Sequence, residues 1–425
     1  MSPALLLIAI PLLAIFGFLL AHQRAAVLKP AGGVTVHSRP GHHAWHALLW
    51  TLGPAFLLVA LWQAFGPGLL TPFMNGVPAD QFDQTYDALW SRGSWIAGGL
   101  ALGLGGLGLA YALRTITPAF RARPRVERTI MGLLIAASTV AILTTFGIVA
   151  SLIFESLRFF SMVSPLEFVF GTQWSPQIAL RADQVGASGA FGALPLFWGT
   201  LFIAFIAMVV AVPVGLFSAI YLTQYASPTL RKVMKPVLEI LAGVPTVVYG
   251  FFAALSVAPL IKQFGTALGL DPANESALAA GLVMGVMIIP FMSSLSDDAI
   301  TAVPNSMKDG SLALGATPSE TIGKVLIPAA LPGIVGGFLL AVSRAIGETM
   351  IVVMAAGFAA NITANPFEAV TTVTVQIVKL LTGDQEFDSP KTLAAFALGL
   401  VLFIVTLILN IIALRVVKKY REAYE

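Results

Sequence analysis

A chain of 425 residues that is 57% hydrophobic and only 11% charged is too apolar for a soluble domain, and its composition places it in a bilayer. A formal net charge of +3 gives no footing for a nucleic-acid partner, and zero cysteine removes disulfides, thiolate metal sites and cysteine nucleophiles together.

Apolar runs long enough to cross roughly 30 Å of hydrocarbon as helix fall near 4–21, 47–65, 94–113, 130–154, 196–222, 240–261, 277–296, 332–357 and 393–414, which predicts an all-α membrane protein of nine spans. The first run has no basic residue before it and Arg24 and Lys29 after it, the reverse of a cleavable signal, so it is expected to stay as an anchor with its N-terminus outside. In that orientation 17 Lys and Arg residues fall on inside segments, and six fall outside: Arg92, Arg158, Arg181, Lys262, Lys379 and Lys391. The asymmetry sets a cytoplasmic C-terminus.

The basic linker Arg121–Arg128 divides the chain into a three-span part, residues 1–125, and a six-span part, residues 126–425. Gly98, Gly99, Gly103, Gly105 and Gly106 give the first part a helix face suited to close packing. His42, His43 and His46 share a helical face, but no thiolate or nearby carboxylate completes a metal site, so no metal is expected and they read as interfacial residues at a span entrance. Further along lies a long outer segment containing Gly171-Thr172-Gln173-Trp174-Ser175-Pro176. Asp297 and Asp298 diverge by about 100° on a helix. They suit capping or positioning of the next loop better than shared catalysis.

That loop, 304–331, is the most informative stretch. Asn305 to Leu314 forms a short helix behind Pro304, and Gly315 supplies a permissive backbone at its end. Thr317-Pro318-Ser319-Glu320 then opens a second helix, with a capping oxygen, proline at the first helical position and a carboxylate three residues after the cap. Asp309, Gly310, Ser311 and Gly315, with Pro328 downstream, are the residues singled out here.

The second candidate site is Arg344 with Glu348 one turn later, expected inside the span beginning near Pro332. At 1.5 Å per residue Arg344 would sit roughly 17 Å deep, close to the midplane, where insertion scales put an arginine at roughly 2.5 to 3.5 kcal/mol. Such a residue must face protein or a watered cavity. Its permanent charge and five donors suit a tetrahedral oxyanion, and Glu348 at i+4 is placed to pair with it. The alternative is an ion pair that only fixes helix packing.

The loop resembles the EAA loop of ABC importer permeases, with Asp309, Gly310 and Ser311 at the acidic and two small positions and Gly315 at the glycine. Ser343-Arg344-Ala345-Ile346-Gly347-Glu348-Thr349-Met350, Leu241-Ala242-Gly243-Val244-Pro245-Thr246-Val247-Val248-Tyr249-Gly250 and Ser294 to Pro304 are similar to the phosphate-specific permeases of the PstC type, over about 130 to 421. The resemblance implies a type I ABC importer permease fold of six spans, preceded here by about three extra spans. It implies a second PstA-type permease, a dimer of cytoplasmic ATPase subunits and a periplasmic phosphate-binding protein as partners, in a bacterial inner membrane. It also implies that Arg344 and Glu348 lie in the translocation path for phosphate and that the chain is a transport subunit rather than an enzyme. No G-x-x-x-x-G-K-[ST] phosphate loop occurs in the sequence, so ATP and magnesium would be held by the partner ATPase and no cofactor by this chain. The readings set against this one are an importer for another oxyanion, an ion-coupled secondary transporter and a membrane-embedded enzyme.

Overall fold

The computed structural model describes residues 4–28, 37–74, 78, 81–178, 188–382 and 389–422. Lys29 and Arg181, used in the charge count, lie outside them. The chain divides into two compact units, Met1–Thr145 and Phe146–Glu425. Among the described residues nine helices are long and apolar enough to cross a membrane.

In the first unit α1 (Ala4–Ala26), α2 (Pro40–Leu70) and α3 (Phe82–Arg114) pack pairwise as a three-helix bundle. Helices α2 and α3 approach so closely that a methyl group at Gly108 would overlap the Trp50 carbonyl. Only glycine permits that contact. His43 and His46, in the first two turns of α2, are buried in the bundle with their ring centroids 5.8 and 5.0 Å from that of Phe120. Helix α4 (Ala122–Phe160) begins in this unit and ends in the second, and its central apolar turns are exposed on every side.

The second unit continues with α5 (Pro165–Phe170) and an antiparallel hairpin of β1 (Trp174–Ile178) and β2 (Ser188–Phe191), paired Trp174 to Phe191. Then follow α6 (Leu194–Ile220), α7 (Pro228–Ala242), α8 (Thr246–Phe252), α9 (Ala258–Ala267) and α10 (Ala277–Thr301). The chain closes with α11 (Asn305–Ala313), α12 (Pro318–Thr321), α13 (Ile327–Ile346), α14 (Met350–Ala355), α15 (Val373–Leu381) and α16 (Pro390–Glu422). Helix α10 is the centre of this unit, packing on α6, α7, α13 and α14, and Ala207, Ala211, Met284, Met287 and Ile351 are buried around it.

Two expected spans are redrawn. The run 240–261 is interrupted at Gly243–Pro245, where α7 ends, and the membrane-length helix is Thr246–Ala267. Pro245 has no N–H to continue the ladder and holds its own φ at −57°. The run 332–357 is also displaced. Its helix starts 14 residues earlier at Pro318, passes a π turn at Ile322–Leu326 and stops at Ile346. Residues 356–372 carry no regular helix or strand.

Candidate functional site

The loop between α10 and α13 is built by local chemistry. Gly315 takes φ +87°, a conformation that side chains other than glycine resist, and its N–H donates to the Leu312 carbonyl at 3.0 Å. Two residues on, the Thr317 hydroxyl accepts from the Glu320 N–H at 3.3 Å while the Glu320 carboxylate accepts from the Thr317 N–H at 3.0 Å, a complete capping box. The Ser311 and Thr321 hydroxyls lie 2.9 Å apart and tie α11 to α12. Lys308 donates to Gln224 at 2.9 Å, tying α11 to the π turn Tyr221–Tyr225 that follows α6. Asp309 and Gly310 stay exposed on this braced helix, and Leu314 is 91% exposed beside them. Pro328, half-buried, lies beyond the turn as the second residue of α13.

The structure separates the expected Arg344–Glu348 pair. Helix α13 ends two residues after Arg344, and Gly347 lets the chain turn into α14. Glu348 is 8% exposed, and its Oε1 accepts from the N–H groups of Thr349, Met350 and Ile351 at 3.1, 3.0 and 3.4 Å. The carboxylate therefore satisfies the orphan donors of the next helix. An i+4 pair needs one continuous helix, and the break removes it. Arg344, in the last turn of α13, is exposed on the chain, and its Nη2 has the Met287 thioether at 3.9 Å. Among the described residues no carboxylate pairs with it. The Glu348 carbonyl accepts from the Thr374 hydroxyl at 2.9 Å, which fixes the break against α15.

Residues 211–422 match the family described as binding-protein-dependent transport system inner membrane component. A probable ABC transporter permease, YqgH of Bacillus subtilis (strain 168), is 34% identical over 286 residues, covering 67% of this chain and 86% of that protein. The chain belongs to this family of ABC importer permeases. It is a multi-pass inner-membrane transport subunit with the all-α type I permease fold. The phosphate transport system permease protein PstC of Mesorhizobium japonicum is similar at 30% identity over 293 residues, 65% of this chain and 86% of that one. The first bundle has a match of its own, at residues 7–102, to the family described as phosphate ATP-binding cassette transporter. A chain in a crystal structure of a bacterial alginate ABC transporter aligns with TM-score 0.48 and 14% identity, covering 71% of this chain and 99% of that one.

Asp297, expected from the sequence to cap or position the next loop, instead closes a charge clamp onto α7. Asp297, with its side chain 6% exposed, accepts from Arg231 at 2.9 Å and from Lys235 at 2.8 Å, both on α7. The hydrogen bond from Lys235 to Asp297 raises the lysine pKa, so its ammonium is fully charged at neutral pH. Asp298, the next residue and 68% exposed, meets Lys235 only at 3.4 Å. The partners are 62 and 66 residues apart in sequence, and the i, i+4 spacing of Arg231 and Lys235 was the one local hint of a shared face.

Proposed function

We propose that this permease forms, with a second homologous permease of the PstA type, the path by which an ATP-driven importer moves phosphate inward. The observation that carries the reading is the state of Arg344: Glu348 is committed to the N-terminus of α14, so the guanidinium keeps its charge and its fork for something else. Arg344 lies in the last turn of α13 rather than deep in a continuous span, so the helix-centre cost does not apply to it. A fixed charge with a free fork and no carboxylate partner among the described residues suits an anionic cargo. Glu348 then shapes the path by fixing the helix break. The N-terminal match and the PstC relatives support phosphate as that cargo.

In this account a periplasmic binding protein delivers phosphate outside, and two ATPase subunits in the cytoplasm bind ATP and magnesium. The exposed α11, carrying Asp309, Gly310 and Ser311 on its braced turn, docks into them and passes their closure through α12 to α13. The spans then alternate between outward and inward access. Residues 1–125 are an added module on a permease core of 126–425, and the N-terminus is outside with the C-terminus cytoplasmic. A reporter fused to the C-terminus should read cytoplasmic; a periplasmic reading would invert the path. For function, Arg344→Gln should abolish phosphate uptake while the complex assembles, and normal uptake by that variant would remove the anion role.

A further inference from the structure

With the C-terminus inside, the start of α16 faces outward. There β1, α15 and the start of α16 enclose a cavity of ≈ 250 Å³, lined among others by Trp174, Ser175, Phe358, Gln376, Lys379 and Lys391. That volume accommodates several waters or a small hydrated anion.

The cavity is held open by a buried scaffold. Gln376 is 1% exposed, and its amide oxygen accepts from the Trp174 indole N–H at 3.1 Å. Its amide nitrogen donates to the Phe358 carbonyl and the Thr371 hydroxyl, both at 3.2 Å. One side chain thus fixes the hairpin, the 356–372 connection and α15 together, with its hydrogen-bonding capacity spent inside the protein. It is wall, and the ligand-binding groups lie elsewhere.

Those groups are cationic. Lys379 is in the last turn of α15, with its ammonium 5.2 Å from the centre of the Phe358 ring. Lys391 is the second residue of α16, a helix of 33 residues. The N-terminal end of a long helix favours anions, so an ammonium placed there adds positive potential to positive potential. Neither lysine makes an ion pair among the described residues. The Trp174 and Phe358 rings and Leu380 supply the apolar part of the lining. The hydroxyl of Ser175 supplies a neutral donor in the same lining.

We propose that this pocket binds a phosphoryl oxyanion on the outer face, as a site separate from Arg344. The outward placement rests on the orientation given under the proposed function. Free orthophosphate and the headgroup of an anionic lipid offer the same chemistry, and the two sources are separable.

The test uses the assembled complex in nanodiscs of zwitterionic lipid, without binding protein, and measures binding of radiolabelled orthophosphate. Lys379→Gln with Lys391→Gln should weaken binding roughly tenfold or more, as expected when two charge-assisted donors are lost, while Arg344→Gln should leave this outer binding in place. Asp384, Glu386 and Asp388 lie between the lysines in sequence and outside the described residues. The same double substitution is therefore repeated with those three neutralised to Asn, Gln and Asn. Persistence of the loss there supports direct binding; its disappearance means the lysines serve only that acidic segment, and overturns the proposal. If orthophosphate does not bind but anionic lipid retained in native mass spectra is lost in the double variant, the pocket holds a headgroup. Unchanged affinity for both overturns it. Phosphate import with unchanged binding in the double variant sinks the pocket alone. Sulfate import without phosphate import, with phosphate affinity still falling in the double variant, sinks the phosphate-import reading and leaves the phosphoryl pocket standing.

Discussion

Replacing Gly315 separates the backbone of the cytoplasmic turn from everything around it. At φ +87° the residue lies in the left-handed region, and a Cβ added there meets nothing within 4 Å. The penalty for a side chain is therefore purely conformational. For an L-residue it is roughly 1 to 2 kcal/mol, least for Asn and greatest for a β-branched residue. Since about 1.4 kcal/mol is tenfold in an equilibrium, Gly315→Ala should lower the population of the native turn several-fold and Gly315→Val more than tenfold. The Ser311–Thr321 and Lys308–Gln224 hydrogen bonds resist that change, each at about 1 kcal/mol. The turn is exposed and far from the buried core around α10, so the strain should misaim α11 without unfolding the permease. The assay is uptake and binding-protein-stimulated ATPase activity per assembled complex, in the order wild type, Asn, Ala, Val. Both activities should fall together down that series. Full coupling in Gly315→Val at normal assembly would show that the turn is only a connector.

The clamp between α7 and α10 gives a second prediction: Asp297→Asn should cost about 1 to 3 kcal/mol in thermal unfolding, toward the low end because both cations are about a third exposed. Asp298→Asn, at a side chain 68% exposed, should cost little, and equal effects would refute the assignment. The raised Lys235 pKa makes its contribution complete below the ordinary value of 10.5 and lost only as pH rises through the raised one, so the Asp297→Asn difference should hold constant from about pH 6 to 9. At the helix break, Glu348→Ala should lower the yield of folded complex by orphaning three N–H groups, whereas Arg344→Gln should not. The exchange Arg344→Glu with Glu348→Arg should fail to restore folding, because an arginine offers no acceptor to those donors; recovery of the folded complex would bring back the ion pair.

What could be read in the sequence followed the range of the interactions. The spans were visible because length and apolarity are properties of a contiguous run, and the turn at Gly315 with its Thr317 cap was visible because its partners lie within three residues. The helix break was not visible. Arg344 and Glu348 four apart suggest one turn of helix, and only the N–H groups of α14 claiming the carboxylate end it. Gln376 gave no signal either, a single amide in an apolar stretch whose partners lie 5, 18 and 202 residues away. The hairpin strand Trp174–Ile178 contains Pro176, which weakens any strand pattern, and its pairing with Ser188–Phe191 rests on packing of Phe191 against Phe159.

The most direct measurement is radiolabelled phosphate accumulation in proteoliposomes holding this permease, a second permease, the ATPase dimer and a loaded binding protein. Sulfate and molybdate serve as competitors. The account predicts ATP-dependent phosphate accumulation that neither competitor suppresses at equal concentration and that Arg344→Gln abolishes in fully assembled complex. Accumulation of sulfate or molybdate in place of phosphate, or undiminished phosphate uptake by Arg344→Gln, would contradict it.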